Sequence, residues 1–166
     1  RSVSKTQQSF DKLKGAMKWL STAGGVAGVA GLTAFAKNML EVGDRIGKVS
    51  SKLGISAEQL QKFQFSAEQS GVSTETLNMA FQRFTRRIAD ARAGTGTALK
   101  AFNQMGISLK GAGGKAKTAE ELFLEVADSM KGMTSETDKV SLAFKFFDSE
   151  GVSLVNMLQN GSEAIE

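Results

Sequence analysis

Apolar residues recur at spacings of three and four along most of this chain, the mark of helices that bury one face. Phe10, Leu13 and Met17 outline a polar helical lead over 1–18. Residues 19–36 hold no charged side chain between Lys18 and Lys37, and small residues dominate them. From 37 to 53, Val42, Ile46, Val49 and Leu53 form a heptad-like stripe, under two heptads long. Leu60, Phe63 and Ala67 predict a helix over 57–69, and Leu77, Phe81, Phe84 and Ile88 one over 74–92. A short helix follows near 97–105, ending at Gly106. Leu122, Phe123, Val126 and Met130 give the buried face of a helix over 119–131, opened by a Thr118/Glu121 capping box. Ser135 opens a helix over 136–147, and Ser153 the last one. No run alternates strictly enough to predict a strand. The expected class is all-α, with helices too short to stand alone and obliged to pack.

The joints between these helices repeat one phrase. Gly54-Ile55-Ser56, Gly71-Val72-Ser73, Gly106-Ile107-Ser108 and Gly151-Val152-Ser153 all read glycine, β-branched apolar residue, serine. Glycine can end a helix in the left-handed conformation without a Cβ penalty. Serine can cap the next helix by accepting from a free backbone N–H. The residue between them stands where it can staple onto the fourth helical position, here Leu60, Leu77 or Met157. Gln59 stands where a second capping box needs it. Three copies, at Gly54/Ser56, Gly71/Ser73 and Gly151/Ser153, are expected as helix-to-helix corners. Ser108 is followed by glycines and lysines, so Gly106 is expected as a plain stop before a flexible loop or small ribbon over 108–117.

The uncharged stretch WLSTAGGVAGVAGLTAFA admits two readings. As a helix it spans roughly 27 Å, near the hydrocarbon thickness of a bilayer. Gly24 and Gly28 form a GxxxG, Gly31 keeps the helix thin, and Trp19 suits an interfacial anchor. Its hydrophobicity is marginal for insertion, and the other reading is an Ala/Gly-rich helix packed on copies of itself or other protein. Trp19, Gly24, Gly28, Gly31 and Phe35 are the expected contact residues in either case. The domain expectation is a polar lead over 1–18, the apolar helix over 19–41 and a helical module over 42–166.

Composition narrows the chemistry. The chain has 166 residues, no cysteine and no histidine. Thiolate nucleophiles, disulfides and Zn–thiolate sites are thereby excluded, and the commonest general base is missing. The net charge of +4 is that of a soluble surface with a mild basic excess. KGAGGKAKT at 110–118 fails as a phosphate loop, because Leu109 stands where the first glycine is needed and Ala116 follows the lysine. Arg83, Arg86, Arg87 and Arg92 lie largely opposite the Phe81/Phe84/Ile88 face, where acids such as Asp90 can pair with them, so direct DNA binding is not expected. The acid pairs Glu120/Glu121 and Asp148/Glu150 fit helix starts. Phe144, Phe146 and Phe147 with Leu142 are expected to fill a core or an interface. No catalytic set, cofactor or metal site is expected, and the chain is not expected to be an enzyme.

Four stretches in order carry a family resemblance. KLGISAEQLQKFQFSAEQSGVSTETLNMAFQRFTRRIADA, ALKAFNQMGIS, KTAEELFLEVADSM and LAFKFFDSEGVSLVNMLQNGSEAI together make the run from about 42 to 166 resemble the tail tape measure proteins of tailed bacteriophages and prophages. Asp148 stands after Phe147 where that family commonly has glycine. The resemblance implies a structural virion protein that sets tail length during assembly and leaves ahead of the genome at infection. It also implies tail-tube and tail-tip partners, a homo-oligomer, and contact with the host inner membrane by an apolar stretch such as 19–36. The alternative expectation is a membrane-active, pore-forming helical module. Beginning at Arg1 and ending in GSEAIE, the chain reads as part of a longer polypeptide.

Overall fold

The computed structural model describes the backbone of residues 27–165, with side chains from Ala36. Seven α-helices occur among the described residues: α1 (Ala27–Leu53), α2 (Ala57–Gln69), α3 (Thr74–Arg92), α4 (Gly96–Gln104), α5 (Ala119–Lys131), α6 (Glu136–Phe147) and α7 (Gly151–Leu158). No strand occurs among them, and the fold is all-α. The chain divides into two units, 1–45 and 46–166. The division falls inside α1, which runs unbroken through the expected boundary at 41/42. No glycine or proline there forces a break, since Gly43 and Gly47 both keep helical backbone.

Within the second unit α3 is the central helix, touching α2, α4, α5, α6 and α7. Its apolar positions Leu77, Phe81, Phe84 and Ile88 are buried, as the spacing predicts. Each surrounding helix from α2 to α6 sends at least one phenylalanine inward. Phe63, Phe81, Phe84, Phe102, Phe123, Phe146 and Phe147 are all fully buried. Phe84 is the hub, meeting the rings of Phe81, Phe102, Phe123, Phe146 and Phe147 at centroid distances of 4.9–6.2 Å. Phe81 and Phe123 lie closer still, at 4.6 Å. Tilted and edge-to-face pairs of this kind add about 0.5–1.5 kcal/mol each beyond the burial of their area. Helix α7 closes the core with Leu154, Met157 and Leu158. Of the three phenylalanines expected to fill a core or an interface, Phe146 and Phe147 enter the core and Phe144 stands outside it, 50% exposed.

Two joints close in the expected geometry. Gly54 and Gly71 have φ of +69° and +78°, and Ser56 and Ser73 accept hydrogen bonds from the backbone N–H of Gln59 and Thr76, both at 3.1 Å. The apolar residue of the phrase also ends the preceding helix. The N–H of Ile55 donates to the Ser50 carbonyl and that of Val72 to the Ala67 carbonyl, the long bond of a Schellman turn. Ile55 and Val72 are buried, so one side chain serves the end of one helix and the start of the next. Gly106 ends α4 in the same way, with Ile107 donating to Phe102, and Ser108 caps no helix. The capping box expected at Gln59 forms only in half. The Gln59 side chain is buried instead, with its amide nitrogen unpartnered among the described residues.

The third expected corner, Gly151/Ser153, does not form. Gly151 has a helical φ of −59° and begins α7, Ser153 lies inside that helix, and Val152 is exposed instead of stapled. Glycine is needed there for proximity: a Cβ on Gly151 would lie 2.3 Å from the Ala143 carbonyl oxygen. Helices α6 and α7 therefore touch through bare backbone. The reversal of chain direction moves upstream to Asp148, at φ +62° and ψ −140°.

Two consequences can be measured by urea unfolding. Phe84→Ala is expected to cost about 3–5 kcal/mol, as large aromatic truncations in a core do. Phe144→Ala, on the surface, should stay within about 0.5 kcal/mol of the parent. Gly151→Ala should destabilise by about 1–3 kcal/mol although alanine is the better helix former, because its methyl group must push α6 and α7 apart.

Candidate functional site

Polar side chains gather most densely where α3 meets the turn at 148–150. Arg83 pairs with Asp148 at 3.0 Å and with Glu150 at 2.8 Å. Arg87 reaches Asp148 at 3.4 Å and donates to the Thr97 hydroxyl at 2.9 Å. All four charged side chains are at most one-third exposed, so solvent screens these pairs only in part. Asp148 is the one non-glycine residue at positive φ among the described residues. A side chain held there costs on the order of 1–3 kcal/mol. Two guanidinium groups hold its carboxylate in place, and its own N–H donates to the Phe144 carbonyl. This cluster locks the α6–α7 turn onto the central helix; it does not present groups to a substrate.

The arginine row is thus largely committed inside the molecule. Arg83 and Arg87 bind Asp148 and Glu150, not the expected neighbour Asp90, and Arg92 donates to the Lys117 carbonyl. Among the described residues, Arg86 alone of the four is exposed without a partner of this kind. Phosphate contact through Arg83 or Arg87 would have to break ion pairs that hold the turn.

The loop at 108–117 is a small ribbon. Lys110 and Ala116 form an antiparallel bridge, and Gly113 and Gly114 turn the chain at φ of +75° and +76°. The N–H of Gly111 donates to Lys115, that of Gly114 to Gly111 and that of Lys117 to Leu109. A phosphate loop works by aiming such groups at an anion; here they are spent on the ribbon. Lys117 itself pairs with Glu125 at 2.6 Å.

Concave surface is modest. A cleft of about 490 Å³ lies between Val49, Lys52 and Leu53 of α1 and Asn78, Met79 and Gln82 of α3. Another of about 510 Å³ runs from Leu99 and Asn103 to Lys110. Neither gathers an acid–base pair or a nucleophile with its base. Among the described residues no group of three or more acidic, histidine or cysteine side chains could hold a metal ion.

Of the residues expected at a membrane or self-packing contact, Trp19 and Gly24 lie outside the described residues. Gly28, Gly31 and Phe35 fall on the helical backbone of α1. No helix among the described residues is long and apolar enough to cross a membrane.

Residues 27–148 match the model of the phage-related minor tail protein family. That span covers well over half of the chain, which therefore belongs to this family and is a phage tail protein. Comparison with curated proteins and with solved structures gives no significant match.

The Asp148 geometry can be separated from its charge. Asp148→Gly and Asp148→Ala both lose the two ion pairs, but only alanine remains strained at positive φ. The glycine variant is expected to be the more stable by about 1–2 kcal/mol in thermal or urea unfolding.

Proposed function

We propose that this chain is part of a tape measure protein, a structural component that sets tail length during assembly and takes part in genome ejection. Membership of the minor tail family over residues 27–148 carries the reading. The four stretches from residue 52 onward that resemble tape measure proteins, in the same order, sharpen it. The use of arginines and acids to hold helices together agrees with a building part. In this reading the chain catalyses no reaction. It resides in the tail of the virion, reaches it from the host cytoplasm during assembly, and contacts tail-tube and tail-tip proteins.

Two measurements test it on the particles that carry the gene. Peptides of this chain should appear by mass spectrometry in purified tails. A stop codon early in its coding sequence should give either no tails or tubes of uncontrolled length by electron microscopy. Tails of normal, uniform length assembled without the chain would refute the proposal.

A further inference from the structure

Of the asparagines in the chain, Asn38, Asn78, Asn103, Asn156 and Asn160, only Asn160 precedes a glycine. That order matters chemically. A backbone nitrogen can close a five-membered ring on the side-chain carbonyl of the asparagine before it, and a Cβ on its own residue is the main obstacle to the approach. Gly161 has none, and the fold requires glycine there: φ is +83°, and a Cβ would lie 2.6 Å from the Lys131 Cδ. Asn160 is exposed, just past the end of α7.

Two hydrogen bonds oppose the ring closure, and both belong to the last turn. The Gly161 N–H donates to the Leu158 carbonyl at 3.1 Å, and the Asn160 side-chain amide to the Asn156 carbonyl at 2.9 Å. Helix ends open locally at far lower cost than a core does, so both groups are released without global unfolding. A cation stands beside the nucleophile. The Lys131 ammonium lies 3.5 Å from where a Gly161 Cβ would be, and its charge favours loss of the Gly161 amide proton. We infer that Asn160 is a site of spontaneous modification, and that its isoaspartate product frees the turn that follows α7.

The Gly161 nitrogen gives its proton to water and attacks Asn160 Cγ. The new C–N bond replaces the one to the amide nitrogen, which leaves as ammonia. Water then opens the cyclic imide. Opening at the side-chain carbonyl gives aspartate; opening at the main-chain carbonyl gives isoaspartate, in which Gly161 hangs from Cγ and the chain is one methylene longer. The segment beyond is fastened point by point. The Ser162 N–H donates to Asp128 at 2.8 Å, Glu163 pairs with Lys131 at 3.5 Å, the Ala164 carbonyl accepts from the Ser66 hydroxyl at 3.2 Å, and Ile165 is buried. Gly161 is itself buried, with the Lys131 side chain against it. An extra methylene ahead of it has no space to occupy there, so the contacts with α5 and α2 slip out of register.

The inference does not rest on the tail reading and is tested on the full chain, aged for several weeks in neutral buffer. Peptide mapping by mass spectrometry should show Asn160 converting at least tenfold faster than Asn38, Asn78, Asn103 or Asn156. The isoaspartate fraction, separated by its added charge, should lose hydrogen-exchange protection at Ser162 and Ile165 while the core amides of α3 keep theirs. Asn160→Asp carries the same charge on an unaltered backbone and should stay protected. Asn160→Gln, whose ring closure would need a six-membered imide, should age without change. Conversion no faster than at the other asparagines, or an isoaspartate fraction still protected at Ser162 and Ile165, would overturn the inference. Equal loss of protection in Asn160→Asp or in aged Asn160→Gln would do the same.

Discussion

The helical unit from Ile46 onward depends on a cluster of seven phenylalanine rings, in which Phe84 meets five of the others. Its helices run from 8 to 19 residues once α1 is set aside, lengths at which an isolated helix in water is marginal at best. Local order therefore follows from tertiary packing and not the reverse. Five helices each contribute aromatic surface to one site, so none can leave without exposing rings on the others. The joints serve this arrangement. A glycine that turns the chain and an apolar residue that enters the core at the turn keep the connections short enough for successive faces to point at one centre.

Much of this was legible in the sequence because it is written locally. The ranges 57–69, 74–92, 119–131 and 136–147 match the observed helices residue for residue, since caps and periodicity are near-neighbour signals. The error at Gly151 has a physical source. Glycine satisfies two different needs, a positive φ and the absence of a Cβ, and the letter does not say which. At Gly54 and Gly71 the need is conformational; at Gly151 it is steric, and the obstacle is the Ala143 carbonyl, supplied by a different helix. The partners of Arg83 and Arg87 were hidden for a related reason. They lie more than sixty residues away, and only the return of α6 beside α3 brings them near. A neighbour such as Asp90 was the natural reading from sequence and lost to tertiary geometry.

The departure at Asp148 joins these two lessons. Sequence resemblance marks this position as one where glycine is common, and the backbone at φ +62° gives the reason. Aspartate is accommodated because the same turn sits against two arginines on the central helix. Strain in the backbone and attraction between side chains are thus coupled at one residue. An arginine row that sequence alone could offer to DNA is used to hold a turn. Arg83 and Arg87 thus have a structural use in the second unit.

The exposed apolar surface is uneven. Single exposed apolar residues such as Phe65 or Val152 are ordinary on a soluble protein. The stripe on α1 differs because its spacing is regular and because part of it is already in use. At Ile46, Val49 and Leu53 the stripe packs against the core, whereas among the described residues Met39 and Val42 stand 60% and 46% exposed.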